Sequence, residues 1–195
     1  MLAWSVGSLR AVPAVSQIVD ALPADALDAA PDGVIVVAGG AQRSQSVRAA
    51  LAAATAGADP VIVHDAARPL TTSDVFTQAL EALALAPEAD AVIAATPVSD
   101  TIKEVAIDGR SVMRTLDRGR LWAVQTPQVF RRAALERAFA EASDELLSQA
   151  TDDAWLIERA GGVVHVIGSD PGNLKITTPE DLRVAELLLA ERRSG

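Results

Sequence analysis

The side chains of this sequence able to do chemistry gather where apolar runs end. Asp65 and Arg68 follow Val61, Ile62 and Val63, separated by Ala66 and Ala67 and closed by Pro69. Asp65 can accept hydrogen bonds from sugar hydroxyls or help hold a cation, and Arg68 can fork onto a phosphate, with the two alanines letting a ligand approach the backbone. The same spacing also suits a local ion pair closing a turn. Gly39 and Gly40 precede Ala41 and a helix carrying Ser46. Glycine permits close backbone approach, and the first helical turn offers free N–H groups to a polar ligand. A simple turn with Ser44 as N-cap is the alternative. Thr126 lies in a Gln-Thr-Pro-Gln cluster, and Lys175, one of only two lysines, follows the Pro171-Gly172 turn. Thr101 and Arg118 sit at the two ends of a polar arm. Together Asp65, Arg68, Thr126 and Lys175, with Thr101 and Arg118, are groups for holding anions. His64 and His165 lie in apolar strand patterns and read as core or strand-end residues rather than bases. No Ser-His-Asp arrangement and no metal-binding spacing occurs.

These groups need a scaffold, and the hydrophobic pattern supplies one. Strands are expected at 15–22, 34–37, 61–63, 91–95, 121–124 and 163–167. They alternate with helices after Ser44, over 72–86, 131–147 and 152–160, and after Thr178. Short β-branched runs without alternation suit parallel strands covered on both faces, and ligands in such α/β sheets sit at the carboxyl ends of strands. The helix at 152–160 has Thr151 as candidate cap and Gly161-Gly162 as its stop. Leu2, Val6 and Leu9 recur at helical spacing from the first residue, with no capping residue before them. The segment 98–120 departs from the alternation: Asp108-Gly109 between two short β-prone legs marks a hairpin arm. Its legs are too polar for a core, so it lies on the surface or packs on another chain.

At 195 residues and 50% hydrophobic, the sequence fits a single domain over 1–195. The absence of cysteine excludes disulfides, thiolate catalysis and cysteine-ligated zinc. The formal net charge of -9 argues against broad binding to nucleic acid or anionic membranes, so any phosphate site must be locally basic. The opening residues have no basic n-region, and no uncharged apolar run reaches the roughly 18 residues of a membrane span. A cytoplasmic location is expected.

Several segments in order, GGAQRSQSV, VHDAARP, the run Ser99 to Lys103, the run Asp117 to Trp122, QTPQ, TDDA and NLKITTPEDL, resemble those of the 2-C-methyl-D-erythritol 4-phosphate cytidylyltransferase family of non-mevalonate isoprenoid synthesis. The resemblance implies an α/β fold with a Rossmann-like, mostly parallel sheet flanked by helices, dimerising through the hairpin arm. It implies that CTP and methylerythritol phosphate are joined to 4-diphosphocytidyl-2-C-methyl-D-erythritol with release of pyrophosphate, magnesium assisting. By match of motif, Gly40, Ala41 and Ser46 meet the cytosine, Asp65 and Arg68 the ribose and substrate side, and Thr126 and Lys175 the methylerythritol phosphate. Thr101 and Arg118 reach the partner subunit's site. Arg118 and Lys175 are the implied catalytic pair, positioning the substrate phosphate for in-line attack. That role suits nucleotidyl transfer, which asks mostly for alignment and charge neutralisation.

The family begins with a strand and a glycine-rich loop carrying an arginine and a lysine, and these residues contain none of it. The resemblance therefore carries four further expectations: a central strand missing from the sheet, flanking strands facing a gap, a chain inactive as given, and a Met1 internal to a longer protein. Two alternatives stay open, a ribitol 5-phosphate cytidylyltransferase and a non-catalytic remnant that dimerises through the arm.

Overall fold

The computed structural model describes residues 1–194. At its centre lies β4 (Ala91–Pro97), whose first five residues are buried. It pairs in parallel with β8 (Val164–Gly168) and antiparallel with β7 (Trp122–Phe130), which in turn pairs antiparallel with β3 (Val61–Val63). The order is β3-β7-β4-β8. Alternation of side chains across the sheet builds two cores. Ala91, Ile93 and Phe130 join Leu135, Phe139, Leu147, Leu156 and Ile157 on one face, and Val92 and Val129 join Ala79, Leu83 and Ala89 on the other. The first face is covered by α4 (Arg132–Glu141), α5 (Asp144–Gln149) and α6 (Asp153–Arg159), the second by α3 (Ser73–Leu85). Burial of each large side chain such as Phe130 or Leu135 contributes about 1.5–3 kcal/mol.

A second ladder pairs β1 (Val19–Leu22) with β2 (Ile35–Ala38) in parallel, with α2 (Arg43–Ala53) packed on it. No ladder joins it to the larger sheet among the described residues. Between the free edges of β1 and β3 lies a cavity of about 630 Å³, lined by Val19 and Ala21 on one side, Val61, Ile62 and Val63 on the other, and Val47 of α2. α1 (Leu2–Arg10) begins at Met1 without a side-chain cap.

The structure departs from the sequence pattern in five places, the first being that the strand expected at 15–22 begins only at Val19. The strand expected at 121–124 runs on to Phe130, so the Gln-Thr-Pro-Gln cluster lies within an antiparallel strand and not at a strand's carboxyl end. The ladder accommodates it by an irregularity: Ile93 pairs with Gln128 and Ala95 with Val124, so Pro127, which has no N–H to donate, falls where pairing is interrupted. The helix expected over 131–147 breaks at Ala142, because Ser143 accepts a 3.2 Å hydrogen bond from the Leu146 N–H and caps α5. Asp152, not Thr151, caps α6, accepting from the Trp155 N–H at 2.9 Å. Ser44 is not a cap either; it is buried and its hydroxyl donates to the Leu147 carbonyl at 2.9 Å.

The arm is a hairpin of β5 (Lys103–Val105) and β6 (Val112–Thr115). Its turn is fixed by Asp108 accepting from the Arg110 and Ser111 N–H groups, with Gly109 at φ +68°. Val105, Ile107, Val112 and Met113 are exposed along it. The closing helix α7 (Pro179–Ser194) carries a reciprocal cap: Asp181 accepts from the Thr178 N–H at 2.8 Å and its own N–H donates to the Thr178 hydroxyl at 3.2 Å. No helix of the described residues is long and apolar enough to cross a membrane.

Candidate functional site

The end of β3, the bulged middle of β7, the start of α6 and the loop after β8 enclose a polar pocket of about 260 Å³. Arg43, Asp65, Arg68, Thr151 and Lys175 line it, over a floor that includes Gln128. Asp65 is the hub. It accepts from Arg43 Nε at 3.1 Å and from Lys175 Nζ at 2.9 Å, and Arg68 Nε stands 3.9 Å away. Burial acts to raise its pKa, but the Lys175 hydrogen bond and the charges of Arg43 and Lys175 outweigh it and hold the carboxyl below the ordinary value. The pocket thus presents three cations around one carboxylate, in a chain whose overall charge is strongly negative.

Arg68 and Arg43 are held by backbone or buried polar groups. Arg68 donates to the Asn173 carbonyl at 2.7 Å, and burial lowers its pKa against the pull of Asp65. Asn173 is buried and pins the loop to the β7 bulge: its amide donates to Gln125 Oε1 at 3.0 Å and the Thr126 carbonyl at 2.9 Å, while Oδ1 accepts from Thr71 at 2.6 Å. That clamp sets where Lys175 emerges two residues later. Arg43 also reaches Asp153 Oδ2 at 2.5 Å, and Asp153 is fully buried. Burial pushes the Asp153 carboxyl up, opposed by Arg43.

Of the residues singled out in the sequence, Asp65, Arg68 and Lys175 converge here. Thr126 lines the pocket with them and is itself buried. Its hydroxyl accepts from the Asp65 N–H at 3.1 Å and it meets His64 Nδ1 at 2.9 Å, so it orients Asp65. Gly40, Ala41 and Ser46 sit at the entry to α2, where the Gly40 N–H donates to Ser46 Oγ at 3.1 Å. A Cβ on Gly40 would stand 2.4 Å from Gln45 Cβ, so only glycine fits that approach. Thr101 and Arg118 lie on the arm, outside the residues lining the pocket, and Arg118 donates to the Ser99 carbonyl. His64 is structural: it stacks edge-on to Phe76, and burial takes its pKa down to about 4. Arg43, Gln128, Thr151, Asp153 and Asn173 were not legible as site residues. In the sequence Arg43 falls only within the GGAQRSQSV segment, and Asp153 reads as one of two acids in a first helical turn.

The pocket therefore offers three cations with a carboxylate acceptor between them, groups able to hold an anion and a hydroxyl. A protein from Symbiobacterium thermophilum named 2-C-methyl-D-erythritol 4-phosphate cytidylyltransferase is 54% identical over 157 residues, 80% of this chain and 64% of that protein's length. One of the same name from Synechococcus sp. (strain WH7803) is 42% identical over 98% of this chain and 87% of its own. The crystal structure of the Thermus thermophilus cytidylyltransferase of that name superposes with a TM-score of 0.80 at 35% identity, covering 95% of this chain and 86% of that one. Residues 1–191 match the family model itself, and the chain belongs to the 2-C-methyl-D-erythritol 4-phosphate cytidylyltransferase family of nucleotidyltransferases.

Proposed function

We propose that this protein joins CTP and 2-C-methyl-D-erythritol 4-phosphate to 4-diphosphocytidyl-2-C-methyl-D-erythritol and pyrophosphate, and that the pocket around Asp65 holds the sugar phosphate. The observation that carries it is the convergence of Lys175, Arg68 and Arg43 on Asp65 in one pocket. Lys175 provides the ammonium for the substrate phosphate, and Asp65 an acceptor for a polyol hydroxyl. Gly40, Ala41 and Ser46 are proposed to receive the cytosine at the α2 entry, where the glycine pair leaves backbone accessible. The chemistry asked of these residues is to align the phosphate oxygen on the α-phosphorus and to offset its charge.

Arg118 and Thr101 fit a role toward a second subunit. They stand on an arm whose apolar side chains are uncovered within one chain, and Arg118 is among its exposed residues. A homodimer through the arm gives both a pocket to serve and covers Ile107 and Met113.

Magnesium does not fit a cage made by these side chains. Both oxygens of Asp65 are taken by cations, Asp152 is taken by Gln128 Nε2 and the Trp155 N–H, and no group of three acidic, histidine or cysteine residues gathers among the described residues. No step above passes through the metal.

The test is calorimetric titration of the chain with methylerythritol 4-phosphate, ribitol 5-phosphate and inorganic phosphate. Methylerythritol phosphate should bind most tightly, and Lys175→Ala should weaken it by about tenfold or more, the loss of a hydrogen bond to a charged group. Equal affinity for all three would refute the assignment, and preference for ribitol 5-phosphate would move the protein to that substrate.

A further inference from the structure

Asp153 is the buried titratable group that the proposed chemistry leaves without a task. Its side chain is 1% exposed, Oδ2 meets Arg43 Nη1 at 2.5 Å, and Oδ1 is buried without a hydrogen-bond partner. A buried carboxylate with one partner is costlier to fold than a neutral side chain of the same size. What it fixes is therefore informative.

It fixes one end of a chain of alternating charge, Asp153 to Arg43 to Asp65 to Lys175, with contacts of 2.5, 3.1 and 2.9 Å. The two halves of that chain differ. On the Asp153 side both anchors are rigid: the start of α2 is tied to α5 by the Ser44 hydroxyl on the Leu147 carbonyl, and the start of α6 is tied to β7 by Gln128 Nε2 on Asp152 at 2.8 Å. On the other side Lys175 is 43% exposed and faces the pocket. Arg43 takes Oδ1 of Asp65 and Lys175 takes Oδ2.

We propose that Asp153 is a positioning residue for recognition of the phosphorylated polyol: it clamps Arg43 so that Asp65 stays oriented by Oδ1 when the ligand phosphate draws Lys175 away and a ligand hydroxyl takes its place on Oδ2. Lys175 gives up its place on Oδ2 to a substrate hydroxyl, while Arg43 and Asp153 are the half that does not move. The inference rests on the sugar-phosphate reading and adds to it Asp153 and a task for Arg43, neither of which touches the reacting atoms.

Asp153→Asn keeps the volume and removes the clamp. Arg43→Lys keeps the charge but an ammonium cannot bridge two carboxylates as a guanidinium fork does; its side chain is 30% exposed, so this variant carries the test if Asp153→Asn fails to fold. Titration with methylerythritol 4-phosphate and with inorganic phosphate distinguishes the possibilities. The positioning role requires a split: affinity for the polyol phosphate falls by about tenfold, the scale of one misaligned charged hydrogen bond, while affinity for inorganic phosphate, which has no hydroxyl for Asp65, falls far less or rises. The double variant should be no worse than the poorer single one, because the two residues act in series. Both affinities falling together, both rising together, or neither changing overturns the inference. A wild-type chain that binds inorganic phosphate as well as the polyol phosphate overturns the underlying sugar-phosphate reading, and this inference with it.

Discussion

Replacing Asp65 by Asn removes the one carboxylate on which Arg43, Lys175 and Arg68 converge. Its charge stands 3.1, 2.9 and 3.9 Å from those three cations, with the Asp65 side chain 15% exposed and Lys175 43%. At an effective dielectric constant near 20 the Arg43 and Lys175 pairs are each worth roughly 5–6 kcal/mol of Coulomb energy, and the Arg68 pair roughly 4, before desolvation is subtracted. The Lys175 share is strongly discounted by solvent, and the net cost is about 2 kcal/mol, in the range of hydrogen bonds to charged groups. The pH dependence identifies the cause. Because the folded-state pKa of Asp65 lies below its ordinary value, its stabilisation is fully present above the unfolded value of about 3.9 and is lost as pH falls through the folded value. Urea unfolding at pH 7, 5 and 3 should show wild type ahead by the same margin at pH 7 and 5, with the margin shrinking at pH 3. The freed cations should also let inorganic phosphate raise the melting temperature of the variant more than that of wild type. A margin unchanged at pH 3, or no margin at all, would refute the hub role assigned to Asp65.

Other consequences are open to direct measurement. Burial takes His64 down to about 4, so the unfolded chain binds its proton first and wild type loses stability as pH drops from about 6.5 toward 4; His64→Gln should flatten that window by about 3 kcal/mol, and an imidazole NMR titration with a midpoint near 6.5 would contradict the buried, neutral assignment. Leu135→Ala, at a fully buried position of the larger core, should cost about 2–5 kcal/mol in urea unfolding, whereas a loss under 1 kcal/mol would show that the core collapses to fill the space. Asp181 is held at about 2 by the Thr177 and Thr178 N–H groups, so hydrogen exchange at the first turn of α7 should stay slow down to pH 4 and quicken in Asp181→Ala; equal exchange in both would remove the capping role. Arg118→Ala and Lys175→Ala enzymes, each inactive in a preparation that otherwise turns over, should regain about a quarter of wild-type activity after unfolding and refolding together, since half the dimers carry one intact site. Mixtures that stay inactive despite exchange would place both residues in one subunit's site.

Much of this site was readable because strand ends announce themselves. Asp65, Arg68 and Lys175 each follow an apolar run or a Pro-Gly turn, where a buried strand yields to exposed loop, and the arm and the α7 cap follow from Asp108-Gly109 and from Thr178 and Asp181. The remainder needed coordinates. Hydrophobic periodicity carries no direction, so the antiparallel course of β7 was invisible, and with it the burial of Thr126 inside the strand. Asp152 and Asp153 look alike in sequence, two acids in a first helical turn, yet one caps the backbone and the other is buried on Arg43. Their difference is set by what α6 packs against. Arg43 carries no assignment in the sequence until the end of β3 and the start of α6 are brought to it, and Asn173 none until Thr71, Gln125 and the Thr126 carbonyl surround it.

A crystal structure with methylerythritol 4-phosphate bound tests the central claim most directly. The phosphate should lie within hydrogen-bond distance of Lys175 Nζ, with a substrate hydroxyl on Asp65 Oδ2 and Arg43 still on Oδ1. A phosphate bound away from Lys175, or an Asp65 that remains paired with Lys175 while the ligand is in place, would contradict it.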